Sequence, residues 1–342
     1  MSLPSPVIQV RDLCTYFPTA RGLVKAVDGV SFELHAGHTL AIVGESGSGK
    51  TQLALSIVNL LEDPGEIVGG EVLFGGRDLT KLGRDELEEI RGKGIAMVFQ
   101  DPLSSINPVY TVGNQIVEAV RRHQSMPKAR AWKICEELLD EVEIPEPRKR
   151  ARQYQHELSG GMRQRVMIAM AIANKPDLLI ADEPTTALDV TVQAQILDLL
   201  TRLQREHGMA LILITHDLGI VAGMADEVQI MYAGHQIEIG TTEDVFYRPQ
   251  HPYTMGLLAS LPRLDRPQEE LKPIPGAPPR FTALASGCHF NPRCAWRRQE
   301  CVDRYPVMKG PTDHPAACVL NDAERAAAAQ QLIGSRLARG AG

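Results

Sequence analysis

The chain has 342 residues, of which 44% are hydrophobic and 23% are charged. This composition is typical of a folded globular protein and excludes a disordered, collagenous or small disulfide-stabilised chain. At about 100–200 residues per domain, the length allows two or three structural units. The 36 basic and 42 acidic residues give a formal net charge of −6, so no overall basic field points to nucleic acid as a partner.

The apolar runs of the sequence are too short to span a bilayer, which requires about 18 or more consecutive apolar residues. The richest runs, such as residues 209–214, have the length of a strand. The N-terminal sequence MSLPSPVIQVRDL lacks the basic and hydrophobic regions of a signal peptide. We therefore expect a cytoplasmic chain whose cysteines are reduced or metal-bound.

The order of the predicted elements indicates an α/β core interrupted by helices. Residues 1–110 contain strands predicted at 8–13, 30–34, 39–43, 71–74 and 95–99, and a helix at 49–61 after a glycine-rich turn. Residues 111–173 are predicted as a helical insert, with helices at 112–122, 128–142 and 160–173. Residues 174–261 are predicted to complete the core, with strands at 178–182, 210–215, 226–232 and 236–238 and a helix at 190–206.

A change in composition marks the C-terminal segment, residues 262–342. Prolines cluster first, at Pro273, Pro275, Pro278 and Pro279. Four cysteines and an alanine-rich helix predicted over 322–337 follow. We interpret this segment as a linker and a small appended module.

A phosphate-binding loop is predicted between the strand at 39–43 and the helix that follows it. The pattern G-x-x-x-x-G-K-[ST] is matched at every position by Gly44, Glu45, Ser46, Gly47, Ser48, Gly49, Lys50 and Thr51. The glycines let backbone N–H groups turn towards phosphate oxygens, and the helix N-terminus adds its dipole. We expect Lys50 to reach the β- and γ-phosphates and Thr51 to bind Mg²⁺. An ordinary glycine-rich turn is the alternative.

Two carboxylates end the hydrophobic strand predicted at 178–182. Asp182 suits the coordination sphere of Mg²⁺, and Glu183 can polarise an attacking water. A buried strand that meets a solvated turn has the same appearance, so this prediction depends on the phosphate loop.

Further motifs resemble those of the ATP-binding subunits of ABC transporters. Gln100 matches the Q-loop, the segment Ala187-Leu188-Asp189 the D-loop, and His216 the switch histidine. The signature motif is matched by Leu158, Ser159, Gly160, Gly161 and Met162. The resemblance implies a P-loop NTPase (RecA-like) core with an antiparallel β subdomain, Mg²⁺ held by Thr51, Gln100 and Asp182, and catalysis by Glu183 and His216.

The resemblance narrows to ATPase subunits of the dipeptide/oligopeptide/nickel importer branch, especially those of dipeptide permeases. It rests on Gln100-Asp101-Pro102 with Asn107-Pro108, on residues 186–193 and on residues 248–254. The resemblance implies that an aromatic residue stacks on adenine; alignment favours Phe17, Tyr16 remains an alternative, and either ring could instead fill the core. The cargo stays open among dipeptides, longer peptides, glutathione, nickel and haem.

The family pattern also implies an assembly. Because the chain carries one copy of each motif, it has to dimerise, and a paralogous ATPase is favoured over a second copy as its partner. Two transmembrane permease subunits would dock near residues 100–110, with an extracytoplasmic substrate-binding protein, and the chain would be peripheral on the cytoplasmic face of the inner membrane. The alternatives are a soluble ABC ATPase acting on nucleic acid, an ABC exporter, and a metal-binding scaffold with a vestigial nucleotide site.

The C-terminal cysteines form a second candidate site. The spacings between Cys288, Cys294, Cys301 and Cys318 fit neither the paired cysteines of structural zinc nor ferredoxin runs. Four ordinary core cysteines are therefore one interpretation. Residues 287–294 also resemble the C-terminal region of peptide-importer ATPases, which implies a [4Fe–4S] cluster on the four thiolates. Zn²⁺ is the alternative metal, with His289 or His314 as substitute ligands.

Overall fold

The computed structural model describes residues 5–186, 188–261, 273–311 and 313–337. The strands are β1 (Ile8–Thr19), β2 (Gly22–Leu34), β3 (Thr39–Val43), β4 (Glu66–Phe74), β5 (Arg77–Asp78), β6 (Ile95–Val98), β7 (Leu178–Asp182), β8 (Ala210–Thr215), β9 (Glu227–Tyr232) and β10 (His235–Thr241). The α-helices are α1 (Lys50–Ile57), α2 (Arg84–Ile90), α3 (Pro102–Ser105), α4 (Val112–His123), α5 (Lys128–Glu141), α6 (Pro147–Arg150), α7 (Gly160–Ile172), α8 (Val190–His207), α9 (Leu218–Val221), α10 (Thr242–Tyr247), α11 (Pro252–Ala259), α12 (Glu300–Asp303) and α13 (Asp322–Leu337). Short 3₁₀ helices lie at Leu79–Lys81, Gln155–Glu157, Phe281–Ala283 and Asn291–Arg293.

The chain folds into two compact units that alternate along the sequence. Within the described ranges, the first unit comprises residues up to 9, Glu33–Thr39 and Leu73–Ile214. The second comprises Val10–Phe32, Leu40–Val72 and the residues from Thr215 onward. The segment boundaries at residues 110, 173 and 261 stay predictions.

The first unit contains the parallel strands β8, β7 and β6, in that order. Every residue of β7 and β8 is buried, as expected for parallel strands covered on both faces, and this explains their continuous apolar sequence. Asp182, the last residue of β7, pairs with Ile214 of β8. The strand ends that follow these apolar runs therefore lie side by side.

Helices α4, α5 and α7 of the first unit pack against one another. Their contact faces are amphipathic, since the buried residues Val112, Ile116 and Val120 of α4 recur every fourth position. Cys135 of α5 is buried in the same way, and burial raises the pKa of its thiol to about 12. This cysteine is therefore a packing residue.

In the second unit, β3 pairs in parallel with β9, and β9 pairs antiparallel with β10. In another sheet, β1 lies between β2 and β4. The predicted α/β fold, with a parallel sheet, an antiparallel sheet and a helical region, is confirmed. The helices in the described ranges do not include a candidate for a membrane span.

Several strands are longer than predicted. Strands β1 and β2 extend to a turn at residues 20–21, although Pro18 and charged residues interrupt the alternation there. The first half of β4 was missed because Gly69 and Gly70 lie within it. Conversely, α1 ends at Ile57, four residues early, and Asn59 then adopts a left-handed φ of 50°.

The described part of the C-terminal segment, residues 273–311 and 313–337, contributes to the core of the second unit. The ring of Phe290 lies 5.3 Å from that of Tyr232 and 5.4 Å from that of Tyr253, and Ala328 and Ile333 of α13 join the same buried cluster. The prediction of a separate cysteine-containing module is therefore not confirmed, because described residues of this segment pack on the strands and helices of the second unit. The predicted helix over 322–337 is present as α13, and residues 262–272 of the predicted linker lie outside the described residues.

Candidate nucleotide-binding site

The phosphate loop has a backbone that only glycine permits. Gly49, which precedes α1, has a φ of +103°, and a Cβ there would lie 2.2 Å from the carbonyl oxygen of Ala26. A Cβ at Gly44 would lie 2.3 Å from the carbonyl oxygen of Met231. Strands β2 and β9 thus approach the loop so closely that any side chain at these positions would displace it.

The interior of the loop is polar. Lys50 is 4% exposed, and its Nζ donates to the carbonyl oxygens of Gly44 at 2.8 Å and Glu45 at 3.0 Å. The hydroxyl of Ser48 is buried and has no hydrogen-bond partner among the residues that the structure describes. A lysine ammonium and an unsatisfied hydroxyl inside a glycine cradle match the charge and acceptor oxygens of a bound phosphate. The loop therefore fits the β- and γ-phosphates of a nucleotide, with Thr51 in the first turn of α1.

The first unit brings Gln100, Asp182 and Glu183 together at the ends of β6 and β7. The carboxylate of Glu183 accepts hydrogen bonds from Gln100 Nε2 at 3.2 Å and from Thr186 Oγ1 at 2.9 Å. Glu183 also has a left-handed φ of 44°, a strained conformation that clusters at functional sites. Side-chain bonds and backbone strain together fix the direction of this carboxylate.

His216 belongs to the second unit, comes directly after β8 in the sequence and is exposed. The predicted signature residues start α7 in the first unit. Ser159 caps this helix through its Oγ, which accepts from Met162 N at 3.3 Å, while Ser159 and Gly160 are exposed and Leu158 is buried. An exposed helix N-terminus with a hydroxyl and little side-chain bulk can accept an anion.

The predicted D-loop lies beside the signature residues, since a Cβ at Gly160 would lie 3.5 Å from Leu188 Cδ2. A Cβ at Gly161 would lie 2.7 Å from Val192 Cγ1, so this glycine is required for the contact with α8. Asp189 caps α8 by accepting from Val192 N at 3.0 Å. Ala187 lies outside the described residues.

Both candidates for the adenine contact are half-buried on β1. The hydroxyl of Tyr16 donates to Asp28 Oδ1 at 2.7 Å, and the ammonium of Lys25 lies 4.9 Å from the ring centroid. Burial, together with Asp28, raises the pKa of Tyr16 to about 12. Phe17 packs closely against Gly65, where a Cβ would lie 2.4 Å from the ring. The choice between the two rings stays a prediction.

The four C-terminal cysteines are free thiols that lie close enough to influence one another. Burial raises the pKa of Cys288 to about 12 and that of Cys294 to about 11, and the neighbouring thiols add to both shifts. Within residues 5–186, 188–261, 273–311 and 313–337, however, no group of three or more His, Cys, Asp or Glu side chains is arranged to hold a metal ion. The predicted metal site on Cys288, Cys294, Cys301 and Cys318 is therefore not confirmed.

The two proposed substitute ligands, His289 and His314, each have a hydrogen-bond partner at one ring nitrogen. His314 is buried, and its Nε2 lies 2.8 Å from Glu238 Oε1. His289 Nδ1 lies 2.9 Å from the carbonyl oxygen of Ala285. Each contact uses one of the two ring nitrogens, an arrangement that metal-binding histidines also show, so the role of these residues as substitute ligands stays a prediction.

Two residues outside the predicted site contact the phosphate loop. The buried hydroxyl of Tyr253 accepts from Glu45 N at 2.9 Å, and Arg293 forms an ion pair with the Glu45 carboxylate. Tyr253 lies in the segment 248–254 and Arg293 in the segment 287–294, both used above only for the family resemblance. The two motifs were the only sequence feature used here that includes Tyr253 and Arg293. Neither motif predicted that these side chains contact Glu45.

Comparison with known proteins agrees with this geometry. Residues 27–186 match the family model described as ABC transporter, and residues 237–301 match the C-terminal region of oligopeptide/dipeptide transporters. The chain is 51% identical over 297 residues to the oligopeptide transport ATP-binding protein OppD of Haemophilus influenzae, covering 87% of this chain and 92% of that protein. It is 51% identical over 318 residues to the dipeptide transport ATP-binding protein DppD of Bacillus subtilis, covering 92% and 95%.

Solved structures give the same result for the fold. The ATP-binding cassette MJ0796, in a dimeric post-hydrolysis state bound to ADP and Pi, is 27% identical with a TM-score of 0.62, covering 69% of this chain and 98% of that chain. The cbiO1 protein of Clostridium perfringens, part of the ABC transporter complex cbiONQ, is 27% identical with a TM-score of 0.61, covering 77% and 97%. The chain therefore belongs to the ATP-binding proteins of the ABC transporter family, in the branch with the oligopeptide/dipeptide transporter C-terminal region.

Proposed function

We propose that the chain is the ATP-binding and ATP-hydrolysing subunit of an ABC importer that takes up dipeptides or oligopeptides across the cytoplasmic membrane. The observation that carries the proposal is the glycine cradle around Lys50, whose backbone excludes a Cβ at Gly44 and Gly49. The names of the relatives, which are oligopeptide and dipeptide transport ATP-binding proteins, support the cargo class.

In this proposal the loop N–H groups and Lys50 bind the β- and γ-phosphates of ATP. Thr51, Gln100 and Asp182 hold Mg²⁺, which neutralises phosphate charge when bound. Glu183 orients and polarises the attacking water, and the bonds from Gln100 and Thr186 keep its carboxylate aimed. His216 contacts the γ-phosphate.

The proposal includes a head-to-tail ATPase dimer. A phosphate loop alone leaves the far side of the γ-phosphate without donors. The exposed start of α7 at Ser159 and Gly160 can supply them to a nucleotide bound by a partner subunit. We favour a paralogous ATPase as that partner, and a homodimer is the alternative.

The membrane partners in this proposal are two permease subunits, with an extracytoplasmic substrate-binding protein selecting the cargo. Leu103, Val109 and Tyr110 are exposed apolar side chains, and such groups mark contact surfaces. They support docking of the permeases at residues 100–110. The chain would then be peripheral on the cytoplasmic face of the inner membrane.

The proposal keeps the [4Fe–4S] cluster as a structural or regulatory group on Cys288, Cys294, Cys301 and Cys318, with Zn²⁺ as the alternative. Its support is the family resemblance, since the described residues contain no group of three or more His, Cys, Asp or Glu side chains arranged to hold a metal ion. Iron analysis of anaerobically purified protein should give about four irons per chain. Stoichiometric zinc without iron would favour the alternative, and folded protein with neither metal would reject both.

A nucleotide-binding measurement tests the ATP site on which the proposed function depends. Wild-type protein should bind a fluorescent ATP analogue in the presence of Mg²⁺, and Lys50→Ala should abolish binding because the variant lacks the central cation of the loop. Lys133→Ala, on an exposed lysine of α5, is the matched control and should bind normally. Unchanged affinity in a folded Lys50→Ala variant would overturn the proposal.

A further inference from the structure

A buried ion pair joins the phosphate loop to the C-terminal cysteine segment, defined here as residues 287–301. Arg293 Nη1 lies 2.6 Å from Glu45 Oε2, and Nη2 lies 2.9 Å from Glu45 Oε1. The arginine side chain is 7% exposed and that of the glutamate 23%. A two-bond arginine–carboxylate pair fixes orientation as well as distance, and burial protects it from screening by salt.

The arginine is held from several sides. Its Nε donates to the carbonyl oxygen of Pro275 at 2.9 Å, and Nη1 lies 3.4 Å from the hydroxyl of Tyr232. Its guanidinium lies 5.9 Å from the ring centroids of both Tyr232 and Phe290. The side chain therefore loses little further freedom when it binds Glu45, which favours a persistent contact.

The backbone that carries Arg293 also carries two of the cysteines. Arg293 ends the 3₁₀ turn Asn291–Arg293 and directly precedes Cys294. In the same turn, Asn291 Nδ2 donates to the carbonyl oxygen of Cys288 at 2.8 Å. A rearrangement around the cysteines would therefore move the guanidinium.

Glu45 is the residue of the loop through which such a movement would act. Its side chain is held by Arg293, its N–H by the hydroxyl of Tyr253 at 2.9 Å, and its carbonyl oxygen accepts from Lys50 Nζ at 3.0 Å. The same carbonyl oxygen accepts from Ser48 N at 3.1 Å. Each polar group of Glu45 thus has a partner, and one of these partners is the phosphate-binding lysine.

We propose that Arg293 is a positioning residue for ATP binding: through Glu45 it holds the phosphate loop in its binding conformation and makes nucleotide affinity depend on the C-terminal cysteine segment. This inference rests on the proposed function, because it concerns the same nucleotide site. A purely structural ion pair would change the stability of the fold but not the affinity of the folded protein for nucleotide.

The test measures affinity and stability separately in Arg293→Gln, Glu45→Gln and the double variant, with a fluorescent ATP analogue, Mg²⁺ and urea unfolding. Arg293→Gln should bind nucleotide about tenfold more weakly than wild type, which corresponds to about 1.4 kcal/mol. Its KM for ATP should rise by a larger factor than its kcat falls. Each single variant removes the same ion pair between Arg293 and Glu45. The double variant should therefore bind nucleotide no more weakly than the weaker-binding single variant. Arg298→Gln, which removes an exposed ion pair with Glu324 in the same region, should bind like wild type.

The outcomes separate this inference from the proposed function. Wild-type affinity in folded Arg293→Gln, or additive losses in the double variant, would overturn the positioning role while leaving ATP binding intact. Failure of the wild-type protein to bind nucleotide would instead overturn the proposed function. If Arg293→Gln does not fold, Arg293→Lys keeps the charge without the two-bond geometry, and its affinity should still fall below that of wild type.

Discussion

Replacing Glu183 by glutamine separates ATP binding from ATP hydrolysis. The carboxylate accepts from Gln100 at 3.2 Å and from Thr186 at 2.9 Å, and the amide oxygen of glutamine can keep one such bond. Glutamate and glutamine at position 183 experience the same backbone strain at a φ of 44°, so this strain does not contribute to the difference between wild type and variant. We therefore expect the free energy of unfolding to change by less than about 1 kcal/mol. Loss of the charge that polarises water should lower hydrolysis by about 10²–10⁴-fold.

The assay is steady-state phosphate release with Mg²⁺ and ATP, together with binding of a fluorescent ATP analogue. Glu183→Gln should bind the analogue with wild-type affinity and accumulate an ATP-bound dimer in size-exclusion chromatography. Glu137→Gln, on an exposed glutamate of α5, is the control and should hydrolyse ATP normally. Wild-type turnover in Glu183→Gln would refute the role of this carboxylate as base, and His216 would be tested next.

Three further predictions address the loop, the pH dependence and the adenine contact. Gly49→Ala would place a Cβ 2.2 Å from a carbonyl oxygen of β2 at a φ of +103°; urea unfolding should show a loss of about 2 kcal/mol or more, and an unchanged midpoint would contradict the loop geometry. Burial lowers the pKa of His251 from 6.5 to about 4, so the unfolded state binds more protons in this interval and stability should fall as the pH drops through it. His251→Gln should flatten that profile, whereas His156→Gln, at an exposed position, should not. Phe17→Ala should weaken ATP binding more than Tyr16→Ala does, and the reverse order would assign the stacking ring to Tyr16.

The sequence was most informative where a local physical requirement restricts the residue type. Two glycines of the predicted phosphate loop lie where the close approach of Ala26 and Met231 leaves no room for a Cβ. Strands β7 and β8 were predictable because parallel strands buried on both faces have continuous apolar sequences. In both cases the physical requirement lies within a few consecutive residues.

The sequence was less informative where the partner is distant along the chain. Phe290 lies in a buried cluster with Tyr232 and Tyr253. The sequence around Phe290 contains no local pattern that predicts this packing. Likewise, Arg293 and Glu45 are 248 positions apart, so their ion pair could not be read from either motif. Cysteine spacing alone also left the metal prediction open, since ligand geometry depends on tertiary structure.

Peptide uptake in living cells shows whether ATP binding by this chain is needed for import. A strain lacking this chain, with the permeases, partner ATPase and binding protein intact, would be given radiolabelled dipeptide and complemented with wild type, Lys50→Ala or Lys133→Ala. Wild type and Lys133→Ala should restore uptake, whereas Lys50→Ala should not. Equal uptake with Lys50→Ala, at equal protein levels, would contradict the claim that ATP bound by this chain energises peptide import.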